Sequence, residues 1–197
     1  METQQTILLA EDNPDDVRLI RLAFAKAGFD HPIQVVRNGA EAIQYLRGEG
    51  RYAHREIFPV PAVLLLDLKM PLVTGFDVLT WVRKHAEWKC LPVIVLTTSF
   101  YGPDINKAYD LGANSFVTKA VELDEFVGVI RQLGKFWLYE TRLPTPGPFV
   151  PAPAESANGN GAGPVVEEAW PPGHRNVAPT ESRKPTAPKG DPPIHKA

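Results

Sequence analysis

Residues 63 to 71 read VLLLDLKMP. Four apolar residues run straight into Asp67, and a Met-Pro turn follows at once. A short unbroken apolar run closed by a turn is the pattern of a strand buried on both faces, as in a parallel sheet. A charged group at the end of a strand that reads as fully buried needs a physical reason.

Working outward from this strand (Ala62 to Leu66), similar runs occur at Thr6 to Ala10, Ile33 to Arg37, Val93 to Leu96 and Ser115 to Thr118. Between them lie longer stretches of helical periodicity. The first helix starts near Pro14, with Asn13 as N-cap, Asp15 and Asp16 favouring its positive end, and Gly28 closing it. Its apolar residues Val17, Ile20 and Phe24 share one face. Further helices are expected at about Ala40 to Arg47, Phe76 to His85, Asp104 to Leu111 and Leu123 to Trp137, and Gly48 to Pro61 reads as an exposed loop. Alternating strands and helices with right-handed crossovers predict an α/β fold, a doubly wound five-stranded parallel sheet. In such a sheet the working residues gather beyond the carboxyl ends of the strands.

Composition divides the chain. Of its 197 residues and 20 prolines, thirteen prolines follow Leu143, in a stretch rich in Pro, Gly and Ala. Residues 1–143 are expected to form the folded domain and 144–197 a disordered tail, because so few large apolar residues cannot offset the entropy of ordering it. Trp170 reads as an incidental aromatic in that tail. The net charge is −2, without the basic excess that nucleic-acid binding would ask for. Cys90, the single cysteine, excludes a disulfide framework and reads as a small buried hydrophobe. The N-terminal apolar run is too short for a signal peptide or membrane span, so a cytoplasmic protein is expected.

Glu11 and Asp12 follow the first strand as Asp67 follows the third, and a doubly wound order makes these strands neighbours. At a separation of roughly 5 Å each pair of carboxylates repels by about 3 kcal/mol at an effective dielectric near 20. A divalent cation is the economical remedy, and all-oxygen ligands with no nearby His or Cys point to Mg²⁺. Taken without Asp67, the Glu11–Asp12 pair reads equally as a cap for the helix at Pro14. Thr97 ends the fourth strand and Lys119 the fifth, adding a hydroxyl and an ammonium to the same edge. Such a set suits a transferred phosphoryl group.

These motifs, AEDNPDD, LLLDLKMPLVTG, PVIVLTTS and LGANSFVTK in that order, resemble the receiver domain of two-component response regulators. The resemblance spans about Ile7 to Leu138 and implies the flavodoxin-like receiver fold with strand order 2-1-3-4-5. It also implies a phospho-acceptor switch with only self-catalysed phosphotransfer and dephosphorylation, rather than an enzyme. Asp67 would accept a phosphoryl group from a sensor histidine kinase. Asp12, Asp67 and the backbone carbonyl of Lys69 would bind Mg²⁺, with Glu11 acting through water. Lys119 would pair with the carboxylate and the phosphate, Thr97 would bond a phosphate oxygen, and Phe116 would be the aromatic whose rotamer follows Thr97.

Two positions depart from the family pattern. Ala120 stands where proline is usual after the lysine, so a cis bond there cannot be assumed and Lys119 is expected to be less rigidly aimed. Lys69, two residues after the acceptor, carries a basic chain long enough to reach over the phosphate and alter its hydrolysis. No output domain is expected after Leu143, which leaves a partner protein, another relay member or a homodimer to read the switch. Phe126, Ile130, Leu133 and Trp137 form an apolar stripe that Val127, Val129, Phe136 and Tyr139 widen, more than one sheet-facing side requires. With the TTS run, the long loop and the FWLYETRLP ending, this is similar to phytochrome-associated single-domain regulators, and implies a homodimer through helix four, strand five and helix five with a phytochrome-type kinase partner. The rival readings are a receiver-like interaction module that does not cycle and a haloacid-dehalogenase-type enzyme. The second lacks its general acid/base, since Lys69 stands where that aspartate belongs. A nucleotide-binding switch is a weaker reading still, since no G-x-x-x-x-G-K-[ST] loop follows the first strand.

Overall fold

The computed structural model describes residues 5–143, so the expected tail at 144–197 lies outside the described residues. Five parallel strands, β1 (Ile7–Ala10), β2 (Ile33–Val36), β3 (Val63–Leu66), β4 (Val93–Thr97) and β5 (Ser115–Thr118), form one sheet in the order β2-β1-β3-β4-β5. The helices are α1 (Pro14–Ala27), α2 (Gly39–Arg47), α3 (Gly75–Lys84), α4 (Gly102–Asp110) and α5 (Leu123–Gly134). Each lies within two residues of its expected start.

The alternation of side chains along the strands builds two cores. Ile7, Leu9, Val63, Leu65, Ile94 and Leu96 face α1 and α5, where Ile20, Phe24, Phe126 and Ile130 cover them. Leu8, Ala10, Leu64 and Leu66 face the other way, against Tyr45 and Leu46 of α2 and Val78, Leu79 and Val82 of α3. Continuous apolar runs arise because β1, β3 and β4 are buried on both faces. The outer strands β2 and β5 are only half-buried.

Local signals set the helix ends. Asn13 accepts the Asp15 backbone N–H, and Gly28 closes α1 at φ 90°, a left-handed conformation that costs a glycine little. At α3, Thr74 and Asp77 form a reciprocal capping box.

Three expectations are corrected. The segment after α2 is not merely an exposed loop: a short 3₁₀ turn, Gly50–Ala53, seats Tyr52 in the core, with ring centroids 5.1 Å from both Tyr45 and Phe58. Arg55 donates to the Tyr45 and Leu46 carbonyls at 2.8 and 2.6 Å, capping the end of α2. Cys90 is exposed; the turn before β4 buries Trp88 and Leu91 instead, and Cys90 falls between them on the outside. The last helix does not continue regularly to Trp137. Beyond Gly134 the chain widens into a π-type turn, Lys135–Glu140, in which the Thr141 N–H reaches back five residues to the Phe136 carbonyl. The extra residue shifts the buried position from Trp137 to Leu138.

The additional apolar residues of this end are partly spent within the chain. Val127 is buried, and the Tyr139 ring lies 5.9 Å from Phe29 and 5.4 Å from His31, while Phe136 stays exposed. No helix among the described residues is long and apolar enough to cross a membrane.

Candidate functional site

The register pairs Ala10 with Leu66, so the residues that follow, Glu11 and Asp67, emerge side by side. Their backbones are held in the sheet: the Asp67 N–H donates to the Ala10 carbonyl at 3.0 Å and the Glu11 N–H to the Val36 carbonyl at 2.9 Å. Thr97 pairs with Thr118, and the Lys119 N–H extends the ladder by donating to the Thr97 carbonyl at 2.8 Å. Four strand ends thereby bring Glu11, Asp67, Thr97 and Lys119 to one edge, and all four are buried.

The helix after β3 is packed onto the backbone of Asp67 itself. A Cβ added to Gly75 would lie 2.2 Å from the Asp67 carbonyl oxygen and 2.8 Å from the Leu68 Cα, so only glycine permits this approach. The Gly75 N–H donates to the Leu68 carbonyl at 3.1 Å. On the side chain, Asp67 Oδ2 accepts the Lys69 backbone N–H at 2.6 Å. The Lys69 side chain is exposed beside it.

Lys119 is the electrostatic centre. Its Nζ donates to Glu11 Oε2 at 2.6 Å and to Asp16 Oδ2 at 2.7 Å, and lies 3.4 Å from Asp67 Oδ1. Burial pushes the Glu11 carboxyl above the usual carboxylate range, an effect its hydrogen bond to Lys119 only partly offsets. For Lys119 burial works against the charged form, but the hydrogen bonds to Asp16 and Glu11 and the charge of Asp67 outweigh it and hold the ammonium above its ordinary value.

This geometry alters the reading of the acidic cluster. Glu11 and Asp67 share the pocket, whereas Asp12 is exposed at its rim. Among the described residues no three His, Cys, Asp or Glu side chains are disposed as a ready metal cage. The repulsion expected of the buried acids is met first by Lys119. No cis peptide occurs among the described residues, so the Lys119–Ala120 bond is trans, and three carboxylates surround the ammonium.

Asp16 was legible only as a helix-end charge. Its position in the first turn of α1 explains it locally, and its reach to a lysine 103 residues away depends on α1 and β5 being brought together.

The β4 and β5 side is held differently. Thr97 is fully buried, and its Oγ1 accepts the Ser99 N–H at 3.3 Å; the Ser99 hydroxyl donates to Asp104 Oδ2 at 2.6 Å in the first turn of α4. Phe116, opposite Val95, is half-buried against Leu68, Val95 and Ala108. Its backbone N–H donates to the Tyr109 hydroxyl at 3.2 Å, a tie from α4 to the edge strand.

Residues 7–131 match the response regulator receiver domain family. The chain belongs to that family. It is 34% identical over 140 residues to the response regulator Rcp1 of Synechocystis sp., covering 71% of this chain and 93% of that protein. Among solved structures, the phosphorylated cyanobacterial phytochrome response regulator RcpA is 38% identical, with a TM-score of 0.67 over 73% of this chain and all (100%) of that one. The Mn²⁺-bound form of Rcp1 is 33% identical, with a TM-score of 0.64 over 72% of this chain and 99% of that one. The chain is therefore a response regulator receiver resembling the single-domain, phytochrome-associated kind, in a family of phospho-acceptor switches.

Proposed function

We propose that residues 1–143 act as a two-component receiver in which Asp67 accepts a phosphoryl group from a phosphohistidine on a sensor histidine kinase. The observation that carries this is the buried Asp67 carboxylate, with its Oδ2 fixed by the Lys69 N–H and its Oδ1 3.4 Å from the Lys119 ammonium. An Asp67 oxygen forms the bond to phosphorus as the bond from phosphorus to the imidazole nitrogen breaks, and the imidazole leaves with the electron pair. Little covalent chemistry is asked of the protein beyond an in-line nucleophile, so positioning and neutralisation of the phosphoryl oxygens supply the catalysis. Lys119 provides a fixed positive charge, and the Thr97 hydroxyl provides a donor once it turns from the Ser99 N–H.

Mg²⁺ fits this donor set, because the acids offer only oxygen, and Asp12 at the rim leaves one carboxylate in contact with water. Glu11, Asp12, Asp67 and the Lys69 backbone carbonyl would hold it, and when bound it would neutralise charge on the phosphoryl oxygens. The Mn²⁺-bound form of Rcp1, a relative, supports this reading. The exposed Lys69 side chain alters the hydrolysis of the acyl phosphate.

The aspartyl phosphate carries nearly two negative charges and biases the face formed by α4, β5 and α5. That face, with the exposed Phe136 beyond it, serves a homodimer. The similarity to phytochrome response regulators supports a phytochrome-type kinase in the cytoplasm as the partner. Neither a nucleic acid nor a membrane is needed for this role.

Incubating the full chain with acetyl phosphate and Mg²⁺ and measuring intact mass tests the central step. One added phosphoryl group, absent from Asp67→Asn, is expected. No adduct from either acetyl phosphate or a kinase would favour a non-cycling interaction module.

A further inference from the structure

Lys119 is shared unequally. An ammonium has three hydrogens, and two of them make short charge-assisted bonds, to Glu11 at 2.6 Å and Asp16 at 2.7 Å. The acceptor, at 3.4 Å, lies outside the roughly 2.7–2.9 Å of such a bond. Asp67 thus has the loosest hold on the buried Lys119 ammonium.

The three acids also differ in what releasing the lysine would cost. The side chains of Glu11 and Asp67 are 2% and 6% exposed, so either would be left as a buried charge without this countercharge. That of Asp16 is 24% exposed and can return to water. A helix-end role does not account for the contact, because Asp15 already supplies a charge to that turn and stays on the surface, paired with Arg18 at 3.1 Å.

We infer that Asp16 is a positioning residue that competes with the phosphorylated acceptor for Lys119 and so limits how tightly the site holds a phosphoryl group. The inference rests on the phospho-acceptor reading above. Two effects act in the same direction. The phosphoryl oxygens must draw Lys119 away from Asp16, and the Asp16 charge repels the new anion across the shared ammonium. Because Asp16 is the partner that water can replace, it yields Lys119 when the phosphoryl group arrives and reclaims it when the group leaves.

Beryllofluoride with Mg²⁺, a non-covalent stand-in for the phosphoryl group, reads this competition at equilibrium. Titration of the full chain, followed by calorimetry or fluorine NMR, is expected to show Asp16→Asn and Asp16→Ser binding about three- to tenfold more tightly than the wild type, the contribution of one partly solvated charge at close range. Asp16→Glu, which restores the carboxylate, is expected to bind like the wild type. A purely structural role would weaken binding in all three variants. Equal or weaker binding by both uncharged variants overturns the inference and leaves the phospho-acceptor reading standing. Failure of every protein, wild type included, to bind beryllofluoride overturns that reading and this inference with it.

Discussion

On the β1 and β3 side of the site, Glu11 and Asp67 are buried, held in the sheet ladder, tied through Lys119 and backed by a helix that touches the Asp67 backbone through Gly75. On the β4 and β5 side, the loop after β4 carries Phe100 and Tyr101 in solvent, α4 begins without a side-chain cap, and the edge strand β5 is only half-buried. On the proposed phospho-acceptor reading, the nucleophile sits where packing is over-determined and its backbone is fixed before any phosphoryl group arrives. A signal needs an element that changes at low cost, and such elements come from the less stable part of a fold. Thr97 stands between the two, buried in a central strand yet tied through Ser99 to the start of α4.

The strongest attempt to break this contrast is Lys119→Met. It leaves Glu11 and Asp67 buried without their cation, and a destabilisation of about 3–5 kcal/mol is expected in urea unfolding, with loss of phosphorylation by acetyl phosphate. Because burial already raises the Glu11 carboxyl above its unfolded value, that carboxyl favours folding more as it protonates. The loss in the variant should therefore shrink as pH falls through the raised Glu11 range, and a loss that does not change with pH would place the damage elsewhere.

Gly75→Ala probes the same side through packing. The new Cβ meets backbone, not a flexible side chain, so the acceptor strand or α3 must shift. About 3 kcal/mol of stability should be lost, and phosphorylation should slow in step. Unchanged urea unfolding would show that the backing of Asp67 is softer than the geometry requires.

Asp77→Asn weakens the capping box that starts α3, at a cost of about 1 kcal/mol at neutral pH. Hydrogen bonds from the Thr74 side chain and backbone hold the Asp77 carboxyl below its ordinary range. A carboxyl depressed in the folded state adds stability above its unfolded pKa and loses it as pH falls through the folded value. The two proteins should therefore converge in stability on acidification below the carboxylate range.

The smallest global effect is expected on the β4 and β5 side. Tyr109→Phe removes the acceptor for the Phe116 N–H on an exposed edge, where water can substitute, so stability should change by about 0.5 kcal/mol. Amide exchange at Phe116 should nonetheless accelerate well beyond that of β1 amides. Equal acceleration in both strands would dissolve the distinction between the two sides.

What sequence alone made legible follows the same division. The apolar runs located all five strands to within a residue or two, most plainly β1, β3 and β4, because a strand buried on both faces has to be continuously apolar. Asp67, Thr97 and Lys119 were legible as polar breaks at the ends of those runs. Tyr52 was missed because a loop rich in charge and proline gives no periodic sign that one aromatic ring turns inward. Cys90 was misplaced because its own preference for burial yielded to Trp88 and Leu91, which fill the space before β4. On α5 the period was right until the widened turn exchanged Trp137 for Leu138, a change decided by what the end of the helix had to cover.

The amino-acid sequence by itself determined the alternation of strands and helices, the caps of α1 and the place of Asp67 at the end of a buried strand, since each depends on neighbours within a turn or a strand. Tertiary structure alone decided who shares Lys119. That ammonium comes from the end of the last strand, and its partners come from the first strand, the first helix and the third strand. Only closing the sheet in its 2-1-3-4-5 order places Glu11, Asp16 and Asp67 around it, and the strength of a charge pair is set by distance and burial, which no local pattern encodes.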